Sequence, residues 1–132
     1  AAAGALLSYA ALTGSIRHRA AAEAALRPVT PLAAQHARFA GWGLAVASAL
    51  VSGPLEVAIV GPLDDERTRA LHRTALMSTS PGAVVSVGQG GEVPLLAGRG
   101  LVDGVPAAYV CRDFACRMPV VTPGELAREL RS

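Results

Sequence analysis

The spacing of apolar positions changes near residue 54. Before it, alanine, leucine and valine recur at helical intervals; after it, short β-branched runs alternate with turns marked by glycine and proline. Ala1 to Leu12 reads as an apolar helix closed by Thr13-Gly14, glycine being the common residue just beyond a helix C-terminus. A second helix is predicted from Ser15 to about Arg27, ahead of Pro28 and Pro31. A third runs from about Leu32 to Val51 and ends at Ser52-Gly53-Pro54. The first helix has no polar capping residue before it, which predicts that the chain is a piece of a longer protein. Two or three helices with apolar faces need partners to bury them.

Beyond Pro54, Leu55 to Val60 reads as a buried strand ending at Gly61-Pro62. Asp64-Asp65-Glu66 then opens a helix to about Met77, with Asp64 as its cap and Leu71, Ala75 and Leu76 facing inward. Carboxylates suit the positive end of the helix dipole. Ala83 to Val87 is a second strand, and the βαβ spacing implies parallel pairing through a right-handed crossover. Gly88 to Gly100 is a glycine-rich loop anchored by Val93-Pro94-Leu95-Leu96. Asp103-Gly104 is a tight turn, and Val105 to Cys111 a third strand. Thr122-Pro123-Gly124-Glu125 is a capping box with proline at the first helical position, opening a helix to Leu130. The predicted class is therefore α/β: helical hairpins over residues 1–53, then a small mixed sheet with one βαβ crossover and a short C-terminal helix over residues 54–132.

Composition narrows the functional classes. Alanine and glycine are abundant, so backbones can approach closely. All twelve basic residues are arginine, but they are scattered and the net charge is only +2. A nucleic-acid reader needs a clustered basic face with aromatic stacking partners, so no nucleic acid is expected. The longest apolar stretch, Phe39 to Val51, is too short to span a bilayer and contains glycine, so no membrane partner is expected. No charged leader followed by an apolar run opens the chain, and a cytoplasmic location is expected.

Candidate chemistry is sparse. Val57-Ala58-Ile59-Val60-Gly61 before a helix resembles the start of a nucleotide-binding unit, yet the G-x-G-x-x-G fingerprint is missing. Asp64, Asp65 and Glu66 stand where phosphate would have to sit, so no cofactor is expected. His18, His36 and His72 form no ligand pair, and no metal site is expected. Glu23 belongs to a solvated helix face. Glu56 lies inside a strand, as an edge-facing charge or a partner for a core arginine, and Asp103 and Asp113 belong to turns. Trp42, between Gly41 and Gly43, is expected to pack in a helix interface. No Ser-His-Asp or Cys-His arrangement follows from local spacing.

Cys111 and Cys116 are the candidate redox pair. If Val105 to Cys111 and Cys116 to Val121 form a hairpin around Arg112-Asp113-Phe114-Ala115, the cysteines flank the loop. Opposed strand residues lie within disulfide reach. Arg112 and Arg117 beside them favour thiolate. Against this, the spacing is not C-x-x-C, two cysteines make no disulfide framework, and a cytoplasmic setting disfavours a permanent bridge. Two reduced, largely buried thiols are the plainer expectation.

Three segments also carry a family resemblance. Glu56-Val57-Ala58-Ile59-Val60-Gly61, Pro94-Leu95-Leu96-Ala97-Gly98-Arg99 and Tyr109-Val110-Cys111-Arg112-Asp113-Phe114-Ala115-Cys116-Arg117-Met118-Pro119 follow one another in this order. They resemble the C-terminal end of the thioredoxin-domain-containing YyaL and spermatogenesis-associated protein 20 family. The resemblance implies a longer parent, with a thioredoxin-like domain followed by an (α/α)6 toroid akin to six-hairpin glycosidases and N-acylglucosamine 2-epimerases. Residues 1–53 would be the end of that toroid and residues 54–132 an α/β appendage. The partner of this chain would be the remainder of the parent, and the chain alone would be structural and non-catalytic. Two other readings follow from the same resemblance. In one, Glu23 or Trp42 lines the cavity of a carbohydrate-active epimerase or hydrolase. In the other, Cys111 and Cys116 exchange electrons with the thioredoxin-like domain.

Overall fold

A computed structural model describes all residues, 1–132. Its elements are α1 (Ala2–Thr13), α2 (Ile16–Leu26), α3 (Val29–His36), a 3-10 turn (Ala37–Phe39), α4 (Gly41–Ser52), β1 (Glu56–Val60), α5 (Glu66–Leu76), β2 (Val84–Gly88), a second 3-10 turn (Pro94–Leu96), β3 (Ala107–Arg112), β4 (Ala115–Cys116) and α6 (Pro123–Glu129). The chain is mixed α/β, with helices first, then a four-stranded sheet holding one parallel pair, then a short terminal helix.

The first two helices form as their sequences dictate. Gly14 takes a left-handed conformation (φ 72°) and donates its N–H to Ala10 O at 2.7 Å, closing α1. Ser15 then caps α2. The expected single helix from Leu32 to Val51 is instead two. The physical reason is a close approach: a Cβ on Gly43 would lie 2.8 Å from Val29 Cγ1. In one continuous helix, residues 29 and 43 would be about 21 Å apart at 1.5 Å per residue. The chain therefore leaves helical geometry at His36 (φ −141°, ψ 58°) and folds α4 back onto the start of α3.

The strands are ordered β2-β1-β3-β4, with β1 parallel to β2 and antiparallel to β3. As a central strand covered on both faces, β1 buries all five residues. On one face Val57, Ile59 and Val110 pack with Leu71 and Ala75 of α5 and Leu126 of α6. On the other, Ala58 and Val60 meet Ala11 of α1 and Leu95 and Leu96 of the second 3-10 turn. Behind α1, Leu7 packs with Ala22 and Leu26 of α2 and Val46 and Ala49 of α4. Helix α1 thus serves both the helical layer and the sheet, and the segments before and after Gly53-Pro54 share a core.

Several details depart from the sequence reading. Asp65, not Asp64, caps α5: its Oδ1 accepts the Arg67 N–H at 2.8 Å, and bonds from the Arg67 side chain and N–H hold its carboxyl below the usual range. Leu76 is exposed rather than inward. The last hairpin arm forms a strand only at Ala115–Cys116 and carries one further ladder bond at Arg117; Pro119 has no N–H to continue it, and Val120 returns as a single bridge to Ala108. The capping box forms as predicted. Thr122 Oγ1 accepts the Glu125 N–H at 3.3 Å, and Glu125 Oε2 accepts the Thr122 N–H at 3.2 Å. No helix is long and apolar enough to cross a membrane.

Candidate functional site

The chemistry-bearing residues gather at the β3–β4 hairpin. Arg112 pairs with Ala115, leaving Asp113 and Phe114 as a two-residue turn. Both have positive φ, 48° and 63°, as a type I′ turn requires. An aromatic residue in that conformation costs on the order of 1 kcal/mol and persists only where its surroundings fix it. Three ties fix it here. The Arg19 guanidinium of α2 bonds Asp113 Oδ1. The Phe114 N–H donates to Glu56 Oε2 at 2.8 Å. Arg112 donates to the carbonyls of Ser52 (2.9 Å) and Gly53, satisfying the C-terminal end of α4.

Cys111 and Cys116 face each other one step from the turn and are joined as a disulfide, their Cα atoms 3.9 Å apart. The Arg117 N–H donates to Val110 O at 3.0 Å, so the cysteines occupy the close, non-hydrogen-bonded position of the ladder. The expectation of two reduced, largely buried thiols is corrected on both counts. The short turn forces direct opposition, and only Cys111 is buried (1 % exposed); Cys116 is exposed. The arginines beside the sulfurs also differ from expectation. Arg112 turns to α4, and Arg117 pairs with Glu129 at 2.8 Å. Arg99 takes their place, with Nη2 at 2.8 Å from Cys116 Sγ and 3.7 Å from Cys111 Sγ.

Arg99 is held by its own loop. Its Nη1 donates to Leu95 O at 2.6 Å and Ala97 O at 3.2 Å, while Leu95 and Leu96 are buried against the sheet. The guanidinium lies 5.9 Å from the Phe114 ring centroid, within cation–π range.

Beneath the turn, a cavity of about 290 Å³ opens between the α1–α2 corner and the hairpin, lined among others by Leu7, Ala11, Gly14, Arg19, Glu56 and Phe114. Glu56 is its buried carboxyl. Burial pushes its pKa above the usual carboxylate range and Asp113 adds to this; the Phe114 N–H, Arg99 and Arg19 pull the other way without cancelling it. Glu56 is thus neither an edge-facing charge nor the partner of a core arginine: it holds the turn.

The remaining candidates lie apart. Glu23 is exposed, 3.8 Å from Arg19 on the same helix. Trp42 is 68 % exposed rather than packed in a helix interface; only the edge of its ring rests on α1, with Cζ2 3.5 Å from where a Cβ on Gly4 would lie. Ser15 Oγ lies 2.6 Å from His18 Nδ1, but Ser15 serves as the cap of α2 and no carboxylate bonds His18, whose ring packs on Tyr9. This is a capping pair, not a nucleophile with its base. His36 lies against Phe39.

Sequence reasoning missed Arg99 and the role of Phe114. Arg99 reaches the sulfurs across 12 and 17 residues of chain, which no local spacing encodes. No protein-family model, curated protein or solved structure matches the chain.

Proposed function

We propose that this chain is the C-terminal structural portion of a larger, thioredoxin-fused protein resembling six-hairpin glycosidases, and is not catalytic alone. The observation that carries this reading is α3, which buries none of its residues. Around it Leu32, Phe39, Trp42, Leu44 and Val51 are all exposed. Such apolar exposure marks a surface made for contact. The occupant in this reading is the preceding helical part of the parent, and the sheet end with its hairpin closes the assembly. A cytoplasmic setting belongs to the same proposal. The carbohydrate-cavity alternative draws no support from Glu23, which stands on open surface. Trp42 edges a groove of about 200 Å³ with Leu7, Val46 and Ala49, but no carboxylate lines it.

Hydrogen exchange followed by mass spectrometry tests the proposal, comparing this chain alone with the product of its whole reading frame. Residues 29–52 should exchange fast in the chain alone and be protected in the longer protein, while β1 and β3 exchange slowly in both. Equal exchange of residues 29–52 in the two, or a reading frame that opens directly before Ala1, would sink it.

A further inference from the structure

We infer that the Cys111–Cys116 disulfide is a reversible dithiol–disulfide exchange site, with Cys116 as the sulfur attacked and Arg99 as the residue that holds the thiolates. The inference is independent of the proposal above, since it needs only the hairpin and the loop that carries Arg99.

Exchange requires an accessible sulfur, a stabilised leaving thiolate and a fold that survives breaking the bond. Cys116 is exposed and Cys111 is 1 % exposed, so an incoming thiolate has one sulfur to attack. Arg99 Nη2 lies within 3.7 Å of both sulfurs, and the neighbouring cations are engaged elsewhere: Arg112 by the α4 carbonyls, Arg117 by Glu129. No carboxylate bonds Arg99; its other donors go to the Leu95 and Ala97 carbonyls, so its charge is free to act on sulfur. The turn is tied by Glu56, Arg19 and Arg112 as well as by the disulfide, so the hairpin does not depend on the bond alone.

The reductant is a dithiol. One of its thiolates attacks Cys116 Sγ; the Sγ–Sγ bond breaks and its electron pair leaves on Cys111 Sγ, beside Arg99. The mixed disulfide on Cys116 is then attacked by the dithiol's second thiolate, and the electron pair leaves on Cys116 Sγ. Two electrons have entered the protein, the dithiol has become a disulfide, and its two protons pass to the protein thiols or to water. The reverse sequence reoxidises the pair.

The test equilibrates the full chain with graded ratios of reduced to oxidised dithiothreitol, followed by acid quench, alkylation and mass counting of thiols. Two thiols should appear together in protein that keeps its native circular dichroism. In Arg99→Gln the reduced form loses its cation, and the ratio needed for half-reduction should rise about three- to tenfold. Arg99→Lys keeps the charge and should stay near the parent value, which separates charge from any loosening of the loop. Glutathione disulfide should form a mixed disulfide with the Cys111→Ser variant, at Cys116, and not with Cys116→Ser. Thiols that appear only on unfolding, a midpoint unmoved in Arg99→Gln, or equal glutathione capture by both single variants would each overturn the assignment.

Discussion

Strand β1 buries every residue it has, whereas α3 buries none. The contrast between the sheet and the α3–α4 end is not one of apolar content. Helix α5, Glu66–Leu76, is rich in charge yet places Leu71 and Ala75 against the sheet. Helix α4, Gly41–Ser52, has no charged residue and buries only Val46 and Ala49. An amphipathic helix needs one neighbour; a helix apolar on all sides needs neighbours all round, and this chain supplies them on one side only. Patterning, more than hydrophobicity, sorts what is self-sufficient from what is left open.

The sharpest way to break this contrast is through the sheet core. Leu71 is fully buried between α5 and β1, and Leu71→Ala should destabilise the chain by about 2–5 kcal/mol from lost transfer energy and the cavity left behind. Chemical denaturation with the unfolding slope unchanged checks it. A cost below about 1 kcal/mol would mean that the sheet is no firmer than the helical end.

The hairpin joins the two regions, and its bond should matter less than the core. The cysteines are only five residues apart in sequence, so replacing both by alanine removes a short closed loop from the unfolded chain. The expected loss is roughly 2 kcal/mol in the chain-entropy account. Thermal unfolding of the parent and the Cys111→Ala/Cys116→Ala variant reads it, with the three other ties of the turn keeping the variant folded.

Glu56 offers a finer probe, because its burial and its hydrogen bond act in opposite directions. Glu56→Ala strands the Phe114 N–H and should cost about 1–3 kcal/mol. Glu56→Gln keeps an acceptor while removing the buried charge. The folded pKa is raised above the ordinary 4.5, so the native state holds a proton where the unfolded chain has lost it. Glu56 therefore costs nothing well below the ordinary value and lowers stability as pH climbs through and above it. The stability of Glu56→Gln relative to the parent should be smallest near pH 4 and grow towards neutrality. Taking that difference at each pH removes the opposite trend of Asp65, Glu66 and Glu125, whose lowered pKa values favour the native state as pH rises. An advantage for Glu56→Gln that shrinks with pH would mean that the Phe114 N–H, Arg99 and Arg19 outweigh burial and favour the charged carboxylate.

Much of this architecture was legible locally and the site was not. Ser15, Gly14, Pro54 and the Thr122–Glu125 box mark element ends by their own chemistry, and the run Glu56–Val60 announces a buried strand. The break between α3 and α4 was hidden because it arises from Val29 meeting Gly43, a contact between helices rather than a signal within one. The hairpin misled for a related reason. Its turn residues, Asp113 and Phe114, are not the usual asparagine-glycine pair, so the loop read as the four residues Arg112 to Ala115, and the pairing of Arg112 with Ala115 across a two-residue turn was not evident. Arg99 and Glu56 reach the site from other elements, and only the assembled sheet brings them there.

The open face of α4 gives the smallest effect and the most pointed one. Trp42 and Val51 are 68 % and 88 % exposed, so Trp42→Gln and Val51→Ser should each change the stability of this chain by less than about 0.5 kcal/mol, as surface substitutions do. Denaturant titration of the single variants measures this beside Leu71→Ala. Because most of each side chain lies outside the core, a clearly larger consequence must come from what it contacts outside the chain. The same two substitutions in the product of the whole reading frame should therefore lower its stability more than they lower that of the chain alone. Equal effects in both would mean that α4 faces water in the longer protein too, and its apolar surface would need a different partner.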